Sequence, residues 1–120
     1  MSDGNWINEL FTSIDGMDAA GFSSFLREDC IFQFGNLNPL RGANQIRAFV
    51  EGFFGSIDSL QHDISETWLV PGGAICHGTV HYVRHDKSGL SVPFSNIFKM
   101  EGGKVREYLI FADTSELYKQ

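Results

Sequence analysis

Cysteine is scarce in this chain of 120 residues: there are two, Cys30 and Cys76, and they are not spaced as a CxxC pair. Two thiols cannot build a disulfide framework, so two reduced thiols in or near the core of a cytoplasmic protein are the expectation. Basic charge is also short. Nine Lys and Arg stand against 15 Asp and Glu, giving a formal net charge of −6. That balance excludes the basic footprint of a nucleic-acid binder and the polybasic stretch that seeks an anionic membrane. No run of 18 apolar residues is present to span a bilayer. The opening MSDGNWINELF lacks a cationic segment followed by an apolar one, so no signal peptide is expected. HExxH, cysteine clusters and the phosphate cradles GxGxxG and GxxxxGK[ST] are all missing, so neither metal nor organic cofactor is expected.

What is present is a globular balance, 42% hydrophobic and 20% charged, with 11 Phe. So many Phe imply a heavily aromatic core or an apolar cavity with aromatic walls. The length suits a single domain over residues 1–120. Trp6, Ile7, Leu10, Phe11 and Ile14 recur with helical period behind a possible N-cap at Asp3, and Asp15-Gly16 ends that helix. Asp18 can cap a short second helix carrying Phe22, Phe25 and Leu26. Cys30 to Phe34 is β-prone, and GNLNPLRG after it reads as a loop without regular structure. A third helix begins near Ala43, with Ile46, Phe49, Val50, Phe53 and Phe54 as a wide apolar stripe.

The period then changes to two. Strands are expected at about Leu60–Val70, Ala74–Arg84, Leu90–Glu101 and Lys104–Asp113, separated by turns at PGG, DKSG and GG. The fold class is α+β, three helices packed on one face of a largely antiparallel sheet. A two-residue loop at Gly102-Gly103 pairs Glu101 with Lys104, which places Val92, Phe94, Asn96, Phe98, Glu107, Leu109, Phe111 and Asp113 on the inner face and Tyr108 on the outer. The stretch HGTVHYVRH, His77 to His85, depends on the loop before Leu90. Four residues there turn His77, Thr79 and His81 inward; three or five turn them outward and bring Cys76, Val80 and Tyr82 in. Apolarity slightly favours the second register. Along a strand, histidines four residues apart are about 13 Å apart, too far to share one zinc.

The stretches REDCIFQF, RG before the third helix and GGKVREYLIFAD carry a resemblance covering about Asn5 to Leu117. The chain resembles the nuclear transport factor 2-like superfamily, and within it the polyketide-cyclase-like (SnoaL-like) branch and limonene epoxide hydrolase. The resemblance implies a cystatin-like fold: a curved, cone-shaped mixed or antiparallel sheet wrapped by three helices, with a pocket inside the cone. Superfamily members include hydrolases, isomerases, dehydratases and cyclases of small apolar molecules as well as non-catalytic domains, so the fold alone names no reaction. The resemblance also implies the four-residue register. By it, Asp113 matches the water-activating carboxylate of the epoxide hydrolase and His81 matches its second acid, an Asp there. Thr79 stands where an orienting Arg would be, and Phe32 and Phe34 replace a Tyr and an Asn. The base of a ketosteroid isomerase would fall near Gln33, which cannot take a proton. Scytalone dehydratase is loosely similar, since it too uses histidines inside the cone.

The expected catalytic pair is therefore Asp113 and His81. Asp113 among apolar neighbours would have its pKa raised toward a useful range, or it starts a C-terminal turn as the cap of Asp113-Thr114-Ser115-Glu116. His81 either passes a proton or is a buried, hydrogen-bonded histidine. Asn96 and Thr79 either orient a substrate oxygen or satisfy each other. Phe32, Phe34, Phe94, Phe111 and Val92 would line the pocket. His77, in a deeper row, would touch the ligand or pair with Glu107, and His62 and His85 are read as solvated. The functional expectation is a small cofactor-independent enzyme acting on a hydrophobic small molecule, or a non-catalytic ligand-binding or association module of the same fold. A homodimer through the outer sheet face is expected, from its Tyr, Val and Ile beside Lys and Arg.

Overall fold

The computed structural model describes residues 5–118; the proposed cap at Asp3 lies outside them. Helix α1 spans Asn5–Asp15 and buries Ile7, Leu10, Phe11 and Ile14, the stripe its period predicts. A short α2, Ala19–Ser23, is capped by the Asp18 side chain, which accepts from Gly21 N. Helix α3, Ala43–Gly55, buries Ile46, Val50 and Phe54 and leaves Phe49 and Phe53 half-buried.

Six strands form one sheet: β1 Leu26–Phe34, β2 Leu40–Arg41, β3 Ser59–Val70, β4 Gly73–Val83, β5 Gly89–Glu101 and β6 Lys104–Ala112. Their order is β2-β1-β6-β5-β4-β3, antiparallel except where β1 runs parallel to β6. The architecture is the expected α+β one, with three helices on a curved mixed sheet. Strand β1 begins four residues earlier than its apolar run suggests. The loop expected to be irregular contains β2, because Leu40 and Arg41 return beside Phe32 and Ile31 and Gly42 N donates to Cys30 O.

Two details of register overturn the expected faces. The β4–β5 loop holds five residues, Arg84 to Ser88, because Val83 pairs with Gly89. Arg84 N donates to Ser88 O, Asp86 Oδ1 accepts from Ser88 N, and Lys87 takes the left-handed conformation that closes the loop. The Arg84 guanidinium also clamps the C-terminal segment through Glu116 O and Leu117 O, which holds Arg84 out of the strand. Cys76, Val80 and Tyr82 therefore face the helices, while His77, Thr79 and His81 face outward. This is the register apolarity favoured, against the one taken from the resemblance.

The second detail is a bulge in β6. Glu101 pairs with Lys104 across Gly102 and Gly103, both at positive φ as a tight hairpin requires. One step later Met100 pairs with Val105 but Lys99 pairs with Glu107, so Arg106 is skipped. Everything beyond is displaced by one. Tyr108, Ile110 and Ala112 point inward, and Glu107, Leu109 and Phe111 do not. Tyr108, expected outside, is 1% exposed, and Phe111, expected inside, is 54% exposed.

Candidate functional site

Between the helices and the concave face of the sheet lies a cavity walled by aromatic rings. Phe22, Phe32, Phe34, Phe49, Phe53 and Phe94 line it, with His62, Tyr82, Asn96 and Tyr108 as its polar side chains. It gives about 50 Å³ to the centres of water-sized spheres, several times what one water needs. Phe34, Phe49, Phe53, Phe94 and Ala112 also line an open basin of about 1220 Å³ outside it, so the two spaces share a wall. Ring contacts such as Phe34–Phe53 at 5.2 Å and Phe32–Tyr108 at 5.5 Å are edge-on, the arrangement aromatic walls prefer.

His62 occupies the cavity wall, not solvent as expected. It follows Leu60 by two residues on β3, so the strand's pleat turns both inward. Its Nδ1 lies 2.7 Å from Asp15 Oδ1, and its backbone N donates to Asp15 Oδ2 at 3.0 Å. Asp15 is the last residue of α1, so the carboxylate reaches β3 from a helix end packed on the sheet. A carboxylate only accepts, so Nδ1 is the donor of this bond, and in the neutral form of the ring the lone pair is on Nε2. Nε2 has no hydrogen-bond partner among the described residues. The His62 side chain is 10% exposed, and its ring is held between Phe11 at 4.7 Å and Phe94 at 5.1 Å.

Asn96 and Tyr108 form the other polar group. Asn96 lies two residues beyond Phe94 on β5, one pleat repeat deeper, and is 1% exposed. Its Nδ2 donates to the Tyr108 hydroxyl at 3.2 Å. Its Oδ1 is buried with no partner among the described residues. Burial holds the Tyr108 phenol well above its ordinary pKa, with smaller contributions from Cys76, Tyr82 and Asp15.

The structure does not bring Asp113 and His81 together. His81 is exposed on the outer face, where Nδ1 meets Ser91 Oγ at 2.7 Å, so the inward placement is corrected. Asp113 lies past the end of β6, lines the basin but not the cavity, and accepts from Ser115 N at 3.0 Å as the start of the C-terminal turn. Thr79 and His77 are outward too. His77 stacks on Trp68 and meets Glu66 at 3.3 Å, while Glu107 is held by Lys99 and Arg106, so no His77–Glu107 pair forms. Asn96 pairs across the sheet with Cys76 and Ile110, not with Thr79. Phe32 lines the cavity, Phe34 and Phe94 line both spaces, and Phe111 lines the basin alone. Val92 is buried but lines neither. The alternation Leu60-Gln61-His62-Asp63-Ile64 was the signal that could have found His62. Nothing in the sequence marked Tyr108, whose facing follows from the bulge.

Among the described residues no three His, Cys, Asp or Glu side chains gather to hold a metal, and no helix is long and apolar enough to cross a membrane.

Residues 7–108 match the family model of the SnoaL-like domain. Among solved structures, the chain is similar to a nuclear transport factor 2-like protein of unknown function from Burkholderia pseudomallei. Identity is 16%, coverage 98% of this chain and 95% of that one, and TM-score 0.86. It is similar to a suggested polyketide cyclase from Xanthomonas campestris pv. campestris at 16% identity, 97% and 93% coverage and TM-score 0.86. An LEH-like epoxide hydrolase from M. tuberculosis aligns at 10% identity, 96% and 85% coverage and TM-score 0.80. At such identities the likeness is one of fold. No curated protein matches the chain.

Proposed function

The chain belongs to the SnoaL-like domain family, and we propose that it is an acid/base enzyme acting on a small, mainly apolar molecule held in the aromatic cavity, with His62 as the proton-transferring group and Asp15 as its positioning partner. The observation that carries this reading is the Asp15–His62 pair, at 2.7 Å, in the wall of that cavity. Here Nδ1 is fixed by a carboxylate, Nε2 meets no described residue, and the histidine lines the cavity.

The chemistry follows from that polarity. Nε2 removes a proton from a carbon next to a substrate carbonyl, and the electron pair moves to the carbonyl oxygen as an enolate. The imidazolium is stabilised by the Asp15 carboxylate. Where a carbon–carbon double bond extends the enolate into a dienolate, returning the proton to its far carbon moves that double bond and isomerises the substrate. Giving it to a departing hydroxyl releases water and makes the enzyme a dehydratase. The aromatic walls keep bulk water from quenching the enolate.

The test is exchange of α-protons of small aryl ketones in D2O, followed by NMR. The protein should accelerate exchange. His62→Asn should lower the rate by about 10²–10⁴-fold, the usual contribution of a positioned base, and Asp15→Asn by a smaller factor. Exchange undiminished in His62→Asn removes the histidine from the mechanism. Ligand binding without exchange leaves a binding module of the same fold.

The outer sheet face supports a homodimer as part of this reading. Trp68, 46% exposed, Ile75, Ile97 and Leu109 form one cross-strand row there, with the exposed Phe111 on the same face, the kind of apolar patch that marks a protein–protein surface. Light scattering at micromolar concentration should give twice the 13.4 kDa chain mass; a monomer overturns it.

A further inference from the structure

Proton transfer at His62 makes no use of the polar pair at the cavity floor. Asn96 Oδ1 is a strong acceptor, 1% exposed as a residue and unmet by any described group. Buried polar atoms in folded proteins almost always have partners, so each exception calls for an explanation. Its neighbour is equally incomplete. If Nδ2 donates to the Tyr108 oxygen, the phenol proton has no acceptor among the described residues. The pair then offers one acceptor and one donor side by side. Turning the amide by 180° lets the phenol donate to Oδ1 and leaves the NH2 group unmet instead. A hydroxyl, which both donates and accepts, satisfies either setting. A methyl group satisfies neither.

The space beside this pair is shaped as well. Asn96 follows Phe94 by one pleat repeat on β5 and pairs with Ile110. The rings of Phe34, Phe53 and Phe94 line the same cavity as Asn96. Such walls favour a flat π-system over a branched aliphatic one.

We infer that Asn96 and Tyr108 form a hydroxyl-reading subsite, and that the ligand is a flat, mostly apolar ring compound whose leading end carries a phenol or enol hydroxyl. This rests on the reading of the cavity as the substrate site. It adds the substrate class and the two residues that choose it. With the hydroxyl fixed at the floor, the ring beyond it lies alongside Phe94, where the His62 ring also packs.

The test compares 2-naphthol with 2-methylnaphthalene, which differ by OH against CH3 on one ring system. Binding is measured by titrating ligand fluorescence on the wild type, Asn96→Leu, Tyr108→Phe and His81→Asn, the last on the outer face of the sheet. The wild type should prefer 2-naphthol by about 10-fold or more, the discrimination one or two buried hydrogen bonds provide. Asn96→Leu should abolish or invert the preference, Tyr108→Phe should reduce it, and His81→Asn should keep it. Equal binding of the two ligands by the wild type overturns the inference and assigns Oδ1 to an ordered water. A preference surviving in both Asn96→Leu and Tyr108→Phe also overturns it. If the preference behaves as expected while the wild type exchanges no ketone protons, the subsite stands and the proton-transfer reading alone fails.

Discussion

Replacing Asn96 and Tyr108 together should make the protein more stable while removing its ligand preference. Tyr108→Phe alone deletes the 3.2 Å hydrogen bond and leaves both ends of a buried amide unmet, so it should destabilise by about 1–3 kcal/mol. Asn96→Leu alone removes the orphaned Oδ1, a gain of about 1–3 kcal/mol, but leaves the Tyr108 hydroxyl dry at similar cost, so it should be nearly neutral. In Asn96→Leu/Tyr108→Phe no polar atom of the pair remains. The relieved orphan contributes about 1–3 kcal/mol and the lost hydrogen bond takes back about 1, while Leu keeps the branched outline of Asn in a larger side chain whose added apolar contact is offset by its packing cost. The net expectation is about 1 kcal/mol of added stability. Unfolding entropy near 2.1 cal/mol/K per residue makes 1 kcal/mol worth about 4 °C in a domain of this size, so the melting temperature should rise by roughly 4 °C. Differential scanning calorimetry of the four proteins gives the cycle directly, and the sign of the double variant is decisive. A double variant less stable than the wild type would show that the amide is fully satisfied in the free protein, and the argument for a ligand subsite would lose its ground.

Two further outcomes follow from the same structure. A Cβ at Gly78 would collide with the carbonyl oxygen of Asp63 and crowd Ile64 Cα, where β3 bulges just after His62; Gly78→Ala should cost about 1–3 kcal/mol in denaturant titrations and displace the His62 backbone, while Gly52→Ala, with nothing nearby, should not destabilise. Burial pushes the Cys30 thiol up to about 12 and the Cys76 thiol up to about 11 from 9.0; because the folded pKa values are the higher ones, this contribution is complete below pH 9 and shrinks above it, by about 1.4 kcal/mol per pH unit for each thiol up to its folded pKa, so urea midpoints should fall from pH 9 to 10.5 and Cys76→Ala should flatten that fall.

The order of elements, the helical faces and the four-strand meander were legible because each rests on a local period that burial enforces over many residues. Ile7, Leu10, Phe11 and Ile14 all have to be wrong for α1 to face the other way. The site was not legible to the same degree, because the face of a strand residue depends on a single count. One residue more in the β4–β5 loop sends His81 outward, and one skipped residue at Arg106 brings Tyr108 in and turns Phe111 out. The resemblance supplied the wrong loop count, whereas the alternation of Cys76, Val80 and Tyr82 against His77, Thr79 and His81 already had the right one. His62 was missed for another reason. Its partner, Asp15, is 47 residues away and had been read only as the end of a helix. A side chain that makes α1 stop and another that starts β3 look unrelated until the helix is laid on the sheet. The packing of Phe11 against His62 is what sets that docking, so the apolar stripe of α1, plain in the sequence, is also what delivers the carboxylate to the histidine.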